Sequence, residues 1–547
     1  MRQGDSHWWR GAVIYQIYPR SFADANGDGI GDLRGIVQHL PYVAALGVDA
    51  IWVSPFFRSP MKDFGYDVAD YRAVDPIFGT LADFDRLLAR AHQLGLKVMI
   101  DQVLSHTSDQ HAWFQQSRTS RRNPRADWYV WADPQPDGTP PNNWLSVFGG
   151  SAWTWNARRR QYYLHSFLAE QPDLNFHHRP VQDALLKEVA FWCARGVDGF
   201  RFDACNHQFH DRRLRSNPAA RRGGAVSTVQ ADNPYALQQH RFDKSQPENL
   251  AFLQRLRQVL DRHGAASIGE VGDEQPAPLM ARYTEAGKRL HMAYSFSLVT
   301  REGSAEHIRR EVQTLEHALR RTGGWGCWAM SNHDSVRVAT RWSARGRPDA
   351  AQVKMLQALL VSLRGSACVY QGEELGLPEA DVPFEQLQDP YGRAFWPEFK
   401  GRDGCRTPMP WQAARPHAGF STARRSKPWL PLSPAHTPLA VDRQLADADS
   451  PLHWLRRVLA WRRGQSTLRL GDIRFLDAPP GVLLFQRRFG AQRQLCAFNL
   501  GSRRVTVPVP AGFTVDEPAP QQAATWSARQ LRLGRYGVAF GRRAAAA

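Results

Sequence analysis

Apolar residues along this chain gather in short continuous runs separated by polar loops. Eight such runs recur: AVIYQIYPRSF (12–22), AIWVSPFF (50–57), KVMIDQVLSH (97–106), VDGFRFDACN (197–206), ASIGEV (266–271), LHMAYSF (290–296), WAMSNHD (328–334) and ACVYQGEELG (367–376). Unbroken apolar runs of this length belong to strands covered on both faces. Between them the apolar period lengthens to that of a helix, as in LRGIVQHLPYVAALG (33–47), LADFDRLLARAHQLG (81–95) and VQDALLKEVAFWCARG (181–196). The last two close on Gly, which stops helices because it accepts the left-handed conformation. Alternating strand–helix units predict an α/β fold, a closed (β/α)8 TIM barrel.

Two stretches break the rhythm. Residues 104–173 carry Trp, Tyr, Pro and Gly but no long helical period, which predicts a subdomain inserted after strand 3. A Pro-rich stretch, 377–450, follows strand 8 and precedes the helical pattern LHWLRRVLAWRR; connections this long are usually functional. Near the end, alternating strands (GVLLFQRRFG, RQLCAFNLG, RRVTVPVP) predict an all-β C-terminal domain. The expected division is barrel at 1–103, inserted domain at 104–173, barrel again at 174–465 and a C-terminal β-sandwich at 466–547. The final RRAAAA is expected to lack order.

Composition narrows the class. The chain has 547 residues, long enough for two or three domains, and 43% hydrophobic residues give it a true core. No apolar run reaches membrane-spanning length, and the start, MRQGDSHWWRGAVIYQIYPR, shows no secretory signal. Six cysteines without CxxC spacing speak against a disulfide scaffold or zinc, and fit a cytoplasmic location. The net charge of +18 is spread over short Arg clusters rather than a stripe, so a solvated surface is expected and no nucleic-acid partner. Nineteen tryptophans could be stacking platforms for sugar rings or plain core residues.

One segment suggests a metal. SFADANGDGIGDLRG (21–35) sets Asp24, Asn26, Asp28 and Asp32 among glycines. It follows an EF-hand loop through its sixth position, but the twelfth is Gly35, which has no ligand to offer. A hard cation bound by side chains and the Ile30 carbonyl is one outcome; a solvated Asx turn is the other.

The strand ends carry the chemistry. In a TIM barrel the active site lies at the C-terminal ends of the strands. Those ends bear Asp101 and His106, Arg201 and Asp203, Glu270, and His333 and Asp334, with Tyr66 and Asp67 in the loop after strand 2. Arg201 and Asp203 are two apart and so face the same way; the Arg should keep Asp203 ionised, as a nucleophile requires. Glu270, at the end of an apolar strand, should have a raised pKa and serve as a general acid. Two such carboxyls are the equipment of a retaining glycosidase.

DQVLSH (101–106), QPDLN (171–175), GFRFDACN (199–206), GEV (269–271) and SNHD (331–334) resemble, in order, the motifs of α-glucosidases of glycoside hydrolase family 13, near the oligo-1,6-glucosidase and α-1,4-glucosidase branch. The resemblance runs essentially end to end. It implies Asp203 as nucleophile, Glu270 as general acid/base and Asp334 as the third carboxylate. It further implies that Tyr66, Asp67, His106, Phe167, Arg201, His333 and Arg402 surround the non-reducing glucose. The D-x-N-x-D-G-I-x-D pattern of this branch implies a structural Ca2+, with Mg2+ as the substitute, held by Asp24, Asn26, Asp28, Ile30 and Asp32. Ala204 follows the nucleophile, where small residues accompany α-1,4 specificity and Val accompanies α-1,6. The expectation is an exo-acting α-glucosidase, monomer or homodimer, acting on maltose and short oligosaccharides with some glucosyl transfer. Its alternatives are a glucosyltransferase, an oligo-1,6-glucosidase or a sucrose-cleaving enzyme.

Overall fold

Along the strands, alternate side chains enter two different cores. Ile14, Trp52, Met99, Ile268, Met292 and Cys368 fill one, while Val13, Val53, Val98, Phe200, Ala293 and Val369 pack in a second with the surrounding helices. Burial on both sides is what drives these runs to form strands rather than helices. The computed structural model describes residues 7–543 except 221–228, 230–232, 344, 345, 347 and 424. Its eight barrel strands are β1 (Val13–Ile17), β2 (Ala50–Val53), β3 (Lys97–Val103), β4 (Gly199–Asp203), β5 (Ala266–Glu270), β6 (Met292–Ser295), β7 (Gly326–Ala329) and β8 (Ser366–Tyr370). All are parallel, and β8 closes on β1 through the Val13–Ala367 register.

Local signals place the helices. Leu33–Leu46 begins where the Asp32 side chain accepts the Gly35 N–H and ends at Gly47, with φ 91°. Leu81–Gln93 begins with a reciprocal Thr80–Asp83 capping box.

Between β3 and β4 lies a three-stranded antiparallel sheet, Trp131–Ala132, Gln161–Leu164 and Trp153–Asn156, preceded by the short helix Ala112–Ser117. Trp144 and Trp153 stack on each other in its small core, 5.9 Å apart.

At the C-terminal end, seven strands form an antiparallel sheet. Its last strand, Gln530–Arg543, pairs with Gln492–Asn499, Val505–Pro508, Phe513–Val515 and Gln522–Trp526. One face (Phe485, Phe498, Phe540) joins the main core, and the other (Leu484, Leu495, Ala539) has a core of its own. Arg542 and Arg543 of the terminal RRAAAA therefore belong to a strand, because their backbone pairs with Gln494 and Phe513; Ala544–Ala547 lie outside the described residues. All six cysteines are free and buried. Among the described residues no helix is long and apolar enough to cross a membrane.

Candidate active site

A cavity of about 750 Å3 opens where the strands end, lined in part by Asp203, Ala204, Glu270 and Asp334. Beneath it lies Arg201, 1% exposed. Its Nη1 reaches Asp203 at 2.6 Å and Asp101 at 2.9 Å, and its Nη2 reaches Glu270 at 2.8 Å. One guanidinium thus joins carboxylates from three neighbouring strands, β3, β4 and β5. Glu270 also accepts the N–H of Ala204 at 2.9 Å. Ala204 has φ 39°, a left-handed conformation that bulky or branched residues resist.

A single positive charge does not offset the burial of three carboxylates. Desolvation pushes Glu270 up to about 8, with Arg201 opposing and Asp203 adding to the rise. Desolvation likewise raises Asp203 to about 6 against the pull of Arg201. At pH 7 the pair is therefore a protonated Glu270 beside an ionised Asp203. Asp334 differs: burial raises its pKa, but His333, Arg402, Arg406 and Arg201 outweigh that and hold the carboxyl below the usual range. Arg406 meets it at 2.6 Å and Arg402 at 3.3 Å.

The closed end of the cavity is polar and aromatic. Tyr66 donates its hydroxyl to Asp101 at 3.1 Å and stacks on His333. His106 accepts from Ser105 at 3.0 Å and points Nε2 at the Tyr66 carbonyl at 3.1 Å; burial holds it neutral, with a pKa near 4. Phe167 leans on His106, ring centroids 5.1 Å apart. Tyr66, His106, Phe167, Ala204 and Arg402 all line the cavity, while Arg201 and His333 lie behind its wall.

Asp67 does not line the cavity, contrary to expectation. Its buried carboxylate accepts from Ser59 Oγ (2.8 Å), Lys62 N (2.9 Å) and Asp63 N (3.0 Å), which knots the loop before Tyr66. Asp63 is the carboxylate that faces the cavity, bound to Arg402 at 2.8 Å and to Gln171 at 3.1 Å. The available signal was the DFGYD turn, which places Phe64 at φ 51° and Gly65 at φ 108° between Asp63 and Tyr66. Sequence reasoning also missed Arg406, and Asp389, which grips Arg402 at 2.8 Å. Phe148 and Tyr391 are further cavity residues that no motif marked.

The loop after β1 is closed by its own amides. Asp24 accepts from Gly27 and Gly29, Asn26 from Asp28, Asp28 from Ile30, and Asp32 from Ala25, Asn26 and Gly35. Among the described residues, no three His, Cys, Asp or Glu side chains gather around one point that could hold a metal. The available ligand atoms are all oxygens, the chemistry a hard cation takes, and each carboxylate oxygen bound to a single amide keeps a further lone pair, which excludes Asp32 Oδ2, where two amides meet. None of the five residues lines the cavity.

Residues 16–471 match the model of the alpha-amylase catalytic domain. The chain is 55% identical over 511 residues to a probable alpha-glucosidase of Rhizobium meliloti, covering 92% of each. It is 35% identical over 547 residues to an oligo-1,6-glucosidase of Heyndrickxia coagulans, covering 92% of this chain and 94% of that one. The crystal structure of an alpha-glucosyl transfer enzyme, XgtA, superposes with a TM-score of 0.95 at 57% identity, covering 98% of this chain and 99% of that one. On the extent of these matches, the chain belongs to the alpha-amylase family of glycoside hydrolases, family 13, and is a glycosidase.

Proposed function

We propose that the protein is a retaining, exo-acting α-glucosidase that removes terminal α-1,4-linked glucose from maltose and short oligosaccharides. The observation that carries this is the Arg201 clamp, with Asp203 and Glu270 on the two ends of one guanidinium. Such sharing favours the roughly 5 Å carboxyl separation of a retaining pair over the wider gap an inverting pair needs. Ionised Asp203 attacks the anomeric carbon while protonated Glu270 gives its proton to the leaving oxygen. A covalent glucosyl-enzyme results, and Glu270, now a base, takes a proton from the water that releases glucose. Asp334, kept ionised by its cations, takes hydroxyls of the distorted sugar more tightly in the transition state.

Two features support exo action on a small substrate. The stretch after β8 supplies Tyr391, Phe399 and Arg402 to the cavity, and the Arg402–Asp63 pair closes its far end. Ala204 leaves space beside Asp203 for an α-1,4-linked sugar. A second outcome of the same glucosyl-enzyme is transfer to another hydroxyl, supported by the likeness to a glucosyl transfer enzyme. A reducing, cytoplasmic setting fits six free cysteines, and the working unit is proposed as a monomer or homodimer. The loop at 24–32 is proposed to take Ca2+, with Mg2+ as substitute, as a structural ion.

The test is glucose release from maltose, isomaltose and sucrose by the wild type and Asp203→Asn. Preferred maltose cleavage, lost in the variant, supports the reading. Preference for isomaltose or sucrose overturns the linkage, and an active Asp203→Asn overturns the mechanism.

A further inference from the structure

One buried amide plays no part in the chemistry above. Gln16 on β1 is fully buried. Its Nε2 lies 2.7 Å from His333 Nδ1 and 3.2 Å from Ser54 Oγ, while its Oε1 is buried with no partner. The amide is set with its N–H, rather than its oxygen, toward the imidazole.

His333 explains why. Its ring lies nearly parallel to those of Tyr66 (5.4 Å, 6°) and Tyr18 (5.7 Å, 23°). Its Nε2 faces the Tyr66 hydroxyl and, at 3.3 Å, Asp334 Oδ2. The Tyr66 hydroxyl gives its one hydrogen to Asp101, so Nε2 carries the hydrogen in its contact with that oxygen, beside a carboxylate that only accepts. The charged groups acting on the ring are Asp334, Arg406, Arg201 and Arg402, and burial keeps the imidazole neutral. Nδ1 is then a bare acceptor, and Gln16 supplies its donor.

We infer that Gln16 is a positioning residue for the reaction: its N–H holds His333 neutral with the proton on Nε2, aimed at Asp334 and Tyr66. The hydrogen bonds then run in one direction. Gln16 donates to His333, His333 to Tyr66, and Tyr66 to Asp101 at 3.1 Å, which shares Arg201 with Asp203 and Glu270. An acceptor at position 16 would draw a proton onto Nδ1. His333 would become a cation, or present a lone pair to Asp334; either disturbs the carboxylate that grips the sugar.

The experiment uses the whole protein labelled with 15N-histidine, with the His333 resonances identified by their loss in His333→Gln. The expected wild-type spectrum has Nε2 protonated and Nδ1 bare. Gln16→Glu should add a proton at Nδ1 and lower kcat/KM on maltose by about tenfold or more. Gln16→Met should leave the Nε2 proton in place and lose less activity. A wild-type Nδ1 proton overturns the inference. So does a folded Gln16→Glu with an unchanged His333 spectrum and kcat/KM within about twofold of wild type. If Gln16→Glu does not fold, the wild-type tautomer decides alone. The kinetic arm rests on the α-1,4-glucosidase reading; a wild type inactive on maltose with the expected tautomer would sink that reading and leave the Gln16–His333 assignment standing.

Discussion

Asp67 accepts the backbone N–H of Asp63 at 3.0 Å, while Asp63 turns its own carboxylate to Arg402 at 2.8 Å. Within one pentapeptide, one acid builds the loop and the other meets the cavity. Substitutions should separate the two roles. Asp67→Ala removes the acceptor of three donors, two of them buried, and should destabilise the protein by about 2–4 kcal/mol. Asp63→Asn keeps an acceptor for Gln171 or Arg402 and should lower kcat/KM by about 100-fold with a smaller loss of Tm. Denaturant melts and steady-state kinetics on the two variants check this; a reversed pattern would reassign the loop.

The pH dependence follows from the carboxyl pair. Asp203 must be ionised, and its pKa near 6 sets the acid limb of kcat/KM. Glu270 must hold a proton, and its pKa near 8 sets the basic limb. Activity should therefore rise as pH climbs through about 6 and fall as it passes about 8. With an aryl α-glucoside whose leaving group needs no proton, Glu270→Gln should still form the glucosyl-enzyme and lose the basic limb of that step. Rapid-quench measurement of the first turnover across pH would show it.

Ala204→Val should change linkage preference. The branched side chain meets a backbone at φ 39° and crowds both the cavity and the N–H that Glu270 accepts. The strain should cost about 1–2 kcal/mol of stability, and kcat/KM on maltose should fall by about tenfold or more relative to isomaltose. An unchanged ratio of the two substrates would remove Ala204 as a specificity determinant.

Chelation tests the loop after β1. A structural ion that binds only the folded state at 100 times its Kd adds about 2.7 kcal/mol. Treatment with a chelator should lower Tm by a few degrees, Ca2+ should restore it, and kcat at 25 °C should stay unchanged because the loop residues lie outside the cavity. A Tm indifferent to chelator would leave the loop to its amides alone.

Much of the site was legible because its residues end apolar runs. Asp203, Glu270 and Asp334 sit where an apolar run gives way to polar sequence, and Asp101 and Arg201 lie two residues before a strand end, a pattern that survives without knowledge of distances. Pairing across the chain left no such trace. Asp63 and Arg402 are 339 residues apart, and nothing local in either segment names the other. Asp67 misled because two identical side chains flank Tyr66, and only the sense of the turn at Gly65 tells them apart. The tryptophans read either way in sequence. In the structure Trp144 and Trp153 serve the inserted domain's core, and among the described residues the cavity is lined by Phe and Tyr instead.

The strand Gln530–Arg543 pairs with four other strands and packs against the helix Ala350–Ser362. It is also the last described element to leave the ribosome. At about 5–20 residues per second, β1 waits on the order of 20–70 s for β8 to close the barrel, and the C-terminal sheet, begun at Asp472, waits about 4–14 s for the strand that most of its other strands touch. Until then one edge of β1 stays open and a helical face stays bare. The nascent chain therefore exposes apolar surface for most of its synthesis, and a premature stop in its final stretch would remove the strand that binds the C-terminal sheet together.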